Sequence, residues 1–490
     1  MTNTARSSSS YSSSPPTPCT PSSPNPSTTI TPETMVGTFN TMSFPANVGI
    51  HALEFHFPAQ FVDQEELEQF DGVSTGKYTI GLGQTQMGVC DDREDINSIS
   101  LTVVQNLVEK HSLSFKDIGF LEVGTETLID KSKSVKTVLM TLFEKSGNFD
   151  VVGIDTKNAC YGGTASVFNA VNWIESSSWD GRWAIVVAAD IASYAPGPAR
   201  PTGGAGAVAI LIGPNAPVVF DQGVRGTFMN NVWDFYKPEL GCEYPIVDGH
   251  FSSVCYIQSF DASYNLFTQK FAKRYSPHPE KKITSQDLDH VVFHSPNCKL
   301  VQKAFARMTY LDLLQDPENA LYGPLKEWAR FGQTEESYYN KDLERTLIQF
   351  TKDEYQKKVL PSLYAATNVG NMYTASMWAG LASLLSLTPE QELLQKRVGL
   401  FSYGSGSAAT FFSARIVGST ERFKETIQMQ TRLAQRIKVT PERYSELMLL
   451  RQETAGLKDY TPVGDTTIMA KGTFYLQHID DKSRRTYARV

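Results

Sequence analysis

An α/β fold made from two copies of one layered unit is what this sequence predicts, on three observations. A strand, an elbow and a helix are read over 151–174 and again over 363–384. A glycine-rich strand pair follows each, at 183–212 and at 397–411. The strand segments are continuous apolar runs, the pattern of strands buried on both faces between helical layers. A unit present twice places the candidate site between the copies. With 490 residues the chain is long enough for a large core and two such halves.

In chain order, residues 1–45 form a tail of Ser, Thr and Pro that cannot bury enough apolar surface to offset chain entropy. Its single basic residue, Arg6, is unlike the Arg-rich amphipathic start of a transit peptide. Order is expected from Asn47-Val48-Gly49-Ile50. A glycine-rich loop, Tyr78-Thr79-Ile80-Gly81-Leu82-Gly83, follows Lys77. The acids Asp92, Glu94 and Asp95 precede a helix with Ile96, Ile99, Val103, Val104 and Leu107 at helical spacing, and are read as dipole and capping partners. Ile118–Val123 is a strand that ends in Gly124-Thr125-Glu126-Thr127. A carboxylate beyond the C-terminal end of a strand is either a solvated loop residue or a site residue, because open α/β sheets keep their ligands there.

The stretch around Cys160 organises the rest. Val151–Ile154 reads as a buried strand, and Ala165, Phe168, Val171 and Ile174 recur as a helix requires. Cys160 lies where the strand stops and the helix begins, so the helix dipole is expected to favour its thiolate. Gly162 and Gly163 are read as keeping the approach to the sulfur open. A buried structural cysteine is the other reading. Next come the apolar strand Trp183–Ala189, closed by Asp190, and the run Gly203–Ile212.

The second copy reads from strand to elbow to helix through Leu363, Asn371 and Met377, with Asn371 in the place of Cys160. Arg397–Phe411 mirrors the glycine-rich pair. Between the copies, Pro277 to Gln286 is polar and turn-rich. It leads into a strand that ends at Phe293, with His294 at its terminus. Lys299 and Lys303, four residues apart, share one helix face. They form either a solvated basic face or a pair of charges for an anionic arm. The halves are therefore 46–218, with the cysteine, and 219–490, with the histidine.

A formal charge of −7 argues against a nucleic-acid partner but leaves room for a local cationic cluster. Six scattered cysteines without a CxxC pair suit reduced thiols and disfavour a disulfide framework or structural zinc. No apolar stretch is long enough to span a bilayer. Cys160, Glu126 and His294 make a plausible catalytic set: a nucleophile, a group that takes a proton from carbon, and a hydrogen-bonding group for an oxygen.

At these residues the chain resembles the hydroxymethylglutaryl-CoA synthase family, in its eukaryotic branch. Gly153-Ile154-Asp155-Thr156-Lys157-Asn158-Ala159-Cys160-Tyr161-Gly162-Gly163 is similar to the family's active-site signature. The resemblance extends over Gly124–Thr127, Ala199–Gly204, Asp234–Pro238, Phe293–Pro296, Gly370–Tyr373 and Arg484–Arg489, and covers about residues 46 to 490. It implies a thiolase-like, duplicated αβαβα fold with mixed sheets and a homodimer; a cytoplasmic enzyme is expected from the Arg-poor tail. It also implies the reaction: acetyl-CoA, acetoacetyl-CoA and water give 3-hydroxy-3-methylglutaryl-CoA and CoA, early in the mevalonate route to isoprenoids and sterols, with no metal and no cofactor beyond the thioester substrates. By the same resemblance Cys160 takes the acetyl group, Glu126 is the general acid/base and His294 engages the acetoacetyl thioester. Lys77, Thr202, Ser252, Lys299, Lys303, Asn371 and Ser405 match positions that bind the CoA arm or the acyl group. No nucleic-acid or membrane partner is implied.

Three positions depart from the family pattern. Val152 stands in place of a usual Glu, Pro198 in place of an Asn that touches CoA, and Ser74-Thr75 in place of Asp-Ala before Gly76-Lys77. The acid/base role calls for a Glu126 pKa raised by an apolar pocket. Other condensing enzymes of the fold, and an inactive CoA-binding scaffold, are the competing readings. A thiolase would rely on a second cysteine and would not need Glu126.

Overall fold

The computed structural model describes residues 45–239, 241–275 and 283–490. The predicted tail, and most of the turn-rich stretch from Pro277, lie outside these residues. Among the described residues the main sheet has ten strands. They are β1 (Gly49–His56), β2 (Ile118–Gly124), β3 (Asp155–Thr156), β4 (Trp183–Ala192), β5 (Gly204–Gly213), β6 (Val218–Phe220), β7 (Gly226–Met229), β8 (His290–Phe293), β9 (Arg397–Gly404) and β10 (Ala408–Ile416). Five helices cover it: α1 (Ile96–Lys110), α2 (Gly162–Ile174), α3 (Gly249–Tyr275), α4 (Cys298–Gln315) and α5 (Ser376–Leu387).

Strand polarity carries the duplication. From the middle outward, β1, β5, β4 and β2 run antiparallel, antiparallel, then parallel. On the other side β6, β10, β9 and β8 repeat that order. The two series meet in the short antiparallel pair β1–β6.

Side-chain alternation then builds the layers. In β4, Ala184, Val186 and Ala188 face one cluster, while Ile185, Val187, Ala189 and Ile191 face another. In β9, Val398 and Leu400 face the first cluster, and Phe401 and Tyr403 a third. The shared cluster holds α2 and α5, including Val167, Val171, Leu381 and the fully buried Trp378. Helix α1 packs outside the first series, and α3 and α4 outside the second. The result is a helix–sheet–helix–sheet–helix sandwich. Strands buried on both faces explain why the sequence shows unbroken apolar runs.

Two predicted strands are not formed. Residues 151–154 are not a buried strand: Val152 and Ile154 are 52% and 59% exposed, and the backbone bonds β2 on one side only, through the Val152 amide and the Val152 and Ile154 carbonyls. This segment is the sheet's outer edge, where one side of the backbone and one face have no neighbour. The elbow of the second half is approached by a helix, Tyr364–Val369, and not by a strand. A short apolar run has no period that separates the two. The acidic run before α1 also divides. Asp95 caps the helix in a reciprocal box with Ser98. Asp92 instead accepts from Tyr460 Oη and the Val463 and Gly464 amides, and Glu94 is buried.

Candidate active site

Glycine geometry brings the first two site residues together. A Cβ placed on Gly124, at the end of β2, would lie 2.1 Å from the Gly163 amide nitrogen at the start of α2. One on Gly163 would lie 2.6 Å from the Ala188 Cβ. Backbone therefore packs on backbone at the strand-to-helix junction. Gly163 serves this contact and does not clear a path to the sulfur. Ala159 adopts φ +44°, strained for a residue with a Cβ, and the chain turns there to present Cys160.

Cys160 Sγ donates to Glu126 Oε1 at 3.7 Å, and Glu126 Oε2 is 3.0 Å from Lys237 Nζ. Lys237 Nζ also lies 4.5 Å from the Tyr373 ring centroid. Under Glu126 sits Asp190, wholly buried. Its Oδ1 accepts from the Glu126 and Thr127 amides, at 2.9 and 3.0 Å, and from the Thr125 and Thr127 hydroxyls, both at 2.8 Å. Its Oδ2 accepts from the Thr374 amide of the other half. Asp190 thus pins the Glu126 loop and ties it to the second copy.

The electrostatics reverse one expectation. Burial, then the Glu126 and Asp190 carboxylates, push the Cys160 thiol well up, against the pull of Lys237. The thiolate is not favoured at rest. Helix α2 begins only at Gly162, and the Gly163 N–H donates to Thr374 Oγ1 at 2.6 Å. The carboxylate at 3.7 Å outweighs a helix end already engaged. Nor does Glu126 sit in an apolar pocket, since Lys237 is its direct partner. Burial alone would lower Lys237, but Glu126 and Asp190 outweigh it and hold its pKa above the usual lysine value. Burial, then the charge of Glu126, raises Asp190 to about 7.

His294 follows β8 and is buried, with neither ring nitrogen bonded to protein. Tyr256 Oη donates to its carbonyl at 2.7 Å. Burial lowers its pKa to about 3, so the ring is neutral near pH 7, with one donor and one acceptor nitrogen free.

The remaining predicted residues fall into three groups. Ser252 Oγ, Tyr403 Oη and the Gly406 amide all donate to Asp234, which joins Ser252 to the Ser405 turn. The Ser405 carbonyl also accepts from Asn158 Nδ2, two residues before Cys160. Thr202 and Asn371 flank Gly203, whose carbonyl accepts from the Asn371 amide. Lys77 is exposed on the 76–83 loop, and the Lys299 amide at the start of α4 donates to the Leu82 carbonyl of that loop. Lys299 Nζ donates to Gln302, whereas Lys303 Nζ is 3.3 Å from Glu344. The pairing with Glu344 sets Lys303 apart from Lys299.

A cavity of about 500 Å³ opens onto Glu126, Asn158, Ala159, Lys237 and Ser405. Among the described residues, no three His, Cys, Asp or Glu side chains cluster in a way that could hold a metal ion. Sequence reasoning missed Lys237 and Asp190 as site residues. The available signals were a lone acid closing a wholly apolar strand, and the Asp234–Pro238 motif.

The family descriptions "Hydroxymethylglutaryl-coenzyme A synthase N terminal" and "C terminal" match residues 44–217 and 218–490. The human cytoplasmic hydroxymethylglutaryl-CoA synthase is 51% identical over 457 residues, 91% of this chain and 88% of that protein. The human mitochondrial one is 51% identical over 460 residues, 92% and 90% of the two chains. The solved structure of MvaS in complex with 3-hydroxy-3-methylglutaryl coenzyme A superposes with a TM-score of 0.77 at 33% identity, over 90% of this chain and 99% of that one. The mirrored sheet, the cysteine at the head of a central helix and matches spanning both halves have one account: the chain belongs to the hydroxymethylglutaryl-CoA synthase family.

Proposed function

We propose that this protein is an acyl-transferring condensing enzyme: it joins acetyl-CoA to acetoacetyl-CoA and, with water, releases 3-hydroxy-3-methylglutaryl-CoA and CoA, an early step toward isoprenoids and sterols. The observation that carries the reading is the direct contact of the Cys160 thiol with Glu126, itself paired with Lys237. Cys160 attacks the acetyl thioester, and its proton passes to the Glu126 carboxylate it already faces. CoA leaves as the thiol, which returns Glu126 to its ionised form. Glu126 then takes a proton from the acetyl methyl group. Backbone N–H groups at Cys160 and in the Ser405 turn hold the enolate oxygen.

The neutral His294 donates a hydrogen bond to the acetoacetyl ketone. The enolate carbon attacks that ketone, and Glu126 protonates the resulting alkoxide. Water then cleaves the Cys160 thioester to give the free carboxylate. Every acyl transfer runs through one sulfur, so the kinetics are ping-pong. Lys237 holds Glu126 in place and balances its charge, and Asp190 orients its loop. Residues 46–218 supply the nucleophile and base, and 219–490 supply His294 and most of the CoA contacts.

The direct test is incubation with both thioesters, following loss of acetoacetyl-CoA and the mass of the product. Product at the hydroxymethylglutaryl-CoA mass supports the reading, and acetoacetyl-CoA left intact refutes it. Lys77, Lys299 and Lys303 are assigned to the CoA phosphates, with Thr202, Ser252, Asn371 and Ser405 along the arm and acyl group. Lys299→Ala is expected to raise the KM for both thioesters more than it lowers kcat, with an effect that shrinks at high salt. Lys303→Ala should act in the same direction but less, because Glu344 shares its charge. An unchanged KM in both variants returns these lysines to a solvated face. The protein is proposed to act as a homodimer in the cytoplasm. The exposed apolar residues Phe149, Val152 and Ile154 at the sheet edge are surface of the kind a second copy covers. Sedimentation and cell fractionation check both points.

A further inference from the structure

A short helix, Gln64–Phe70, lies beside the candidate CoA contacts without supplying any of them. Two of its buried side chains are polar, Gln64 and Glu68, and sit four residues apart, on one face. Glu68 is 2% exposed. Its Oε2 accepts from the Gly76 amide at 2.7 Å. Its Oε1 accepts from the Tyr78 and Thr79 amides, at 2.7 and 2.8 Å, and from the Thr79 hydroxyl at 3.0 Å. Four donors from one loop, three of them backbone N–H groups, converge on this carboxylate.

The donors bracket Lys77. The same loop runs on to Leu82, whose carbonyl receives the Lys299 amide at 3.0 Å. At the other end of the helix face, Gln64 Nε2 donates to the Pro201 carbonyl at 2.7 Å, one residue before Thr202. Asp63 caps the helix by accepting from the Glu65 and Glu66 amides. One small strut therefore holds two segments that carry proposed CoA contacts.

We infer that Glu68 is a positioning residue for CoA thioesters: its carboxylate gathers the 76–79 backbone and so fixes Lys77 against the head of the Lys299 helix. The inference rests on the proposed assignment of Lys77 and Lys299 to the phosphates of CoA. Hydrogen bonds to a charged acceptor are the strong ones, and a buried carboxylate has no water to replace them. An amide at this position keeps the shape and one acceptor oxygen, but turns an NH₂ group toward N–H donors. The loop must then open and Lys77 loses its place, while Cys160 and the Glu126 loop, which Asp190 pins, make no hydrogen bond to it.

The test compares two acetyl donors on the full-length protein: acetyl-CoA, and S-acetyl-N-acetylcysteamine, which carries the same thioester without the phosphates. For Glu68→Gln, the concentration of acetyl-CoA giving half-maximal acetylation of Cys160 is expected to rise about tenfold. The maximal rate should stay within about twofold, and acetylation by the truncated donor should be unchanged. Thr79→Val, which keeps the carboxylate and removes one donor, should show a smaller change of the same kind, and it stands in if Glu68→Gln does not fold. In a Lys77→Ala background, Glu68→Gln should add little, because both changes remove the same contact. Equal loss with both donors, or no change with acetyl-CoA, overturns the inference. If the wild type takes an acetyl group from neither donor, the functional reading fails first, whatever the Glu68 variants do.

Discussion

Cys160→Ala is expected to fold and to gain no acetyl mass from acetyl-CoA. The side chain is buried and small, and the Gly124–Gly163 backbone contact that sets the elbow does not involve the sulfur. Stability should therefore change little. Chemistry should stop, because every acyl transfer in the proposed sequence passes through this atom. Removing a nucleophile that acts with a partner group typically costs on the order of 10⁶ in kcat. The readouts are intact mass after acetyl-CoA and product after both thioesters. An acetyl label mapping to any of the other five cysteines would overturn the assignment of the nucleophile.

Glu126→Ala should separate the two half-reactions. The carboxylate both receives the thiol proton and raises the thiol pKa by its charge. In its absence Lys237 remains and pulls the thiol pKa down. More thiolate forms at neutral pH, so iodoacetamide should label Cys160 faster in the variant than in the wild type at pH 7. Acetylation should persist. Condensation should fail, since no group is left to take a proton from the acetyl methyl. A positioned general base is worth about 10²–10⁴-fold, and the second task of protonating the alkoxide adds to that. Glu126→Gln should fail alike, because an amide keeps the shape but shuttles no proton. If the folded Ala variant is not acetylated, Glu126 is indispensable as the acceptor of the thiol proton, and the two half-reactions are not separable at this residue. If it condenses at near wild-type rate, the base lies elsewhere.

Much of this was legible in the chain. Runs such as Ala184–Ala189 and Val208–Ile212 have no polar alternation, and only strands covered on both faces read so. The motif repeated at Cys160 and Asn371 marked the duplication. Glu126, Cys160 and His294 each stand at the end of an apolar or periodic segment, where open α/β sheets keep their ligands. The edge strand at Val152 and the helix at Tyr364–Val369 were misread because apolar content does not tell an edge from a core, or a short strand from a short helix.

The sequence by itself determined the layering, the duplication and the three segment ends proposed to carry chemistry, because periodicity and element boundaries are local properties of the chain. Only the tertiary structure decided which side chains meet. Lys237 reaches Glu126 from 111 residues away, and Asp190 from 64. Glu68 serves a loop it meets only by folding back on it. The protonation of Cys160 was decided there too: it depends on burial and on charges a few ångströms away through space, and spacing along the chain encodes neither.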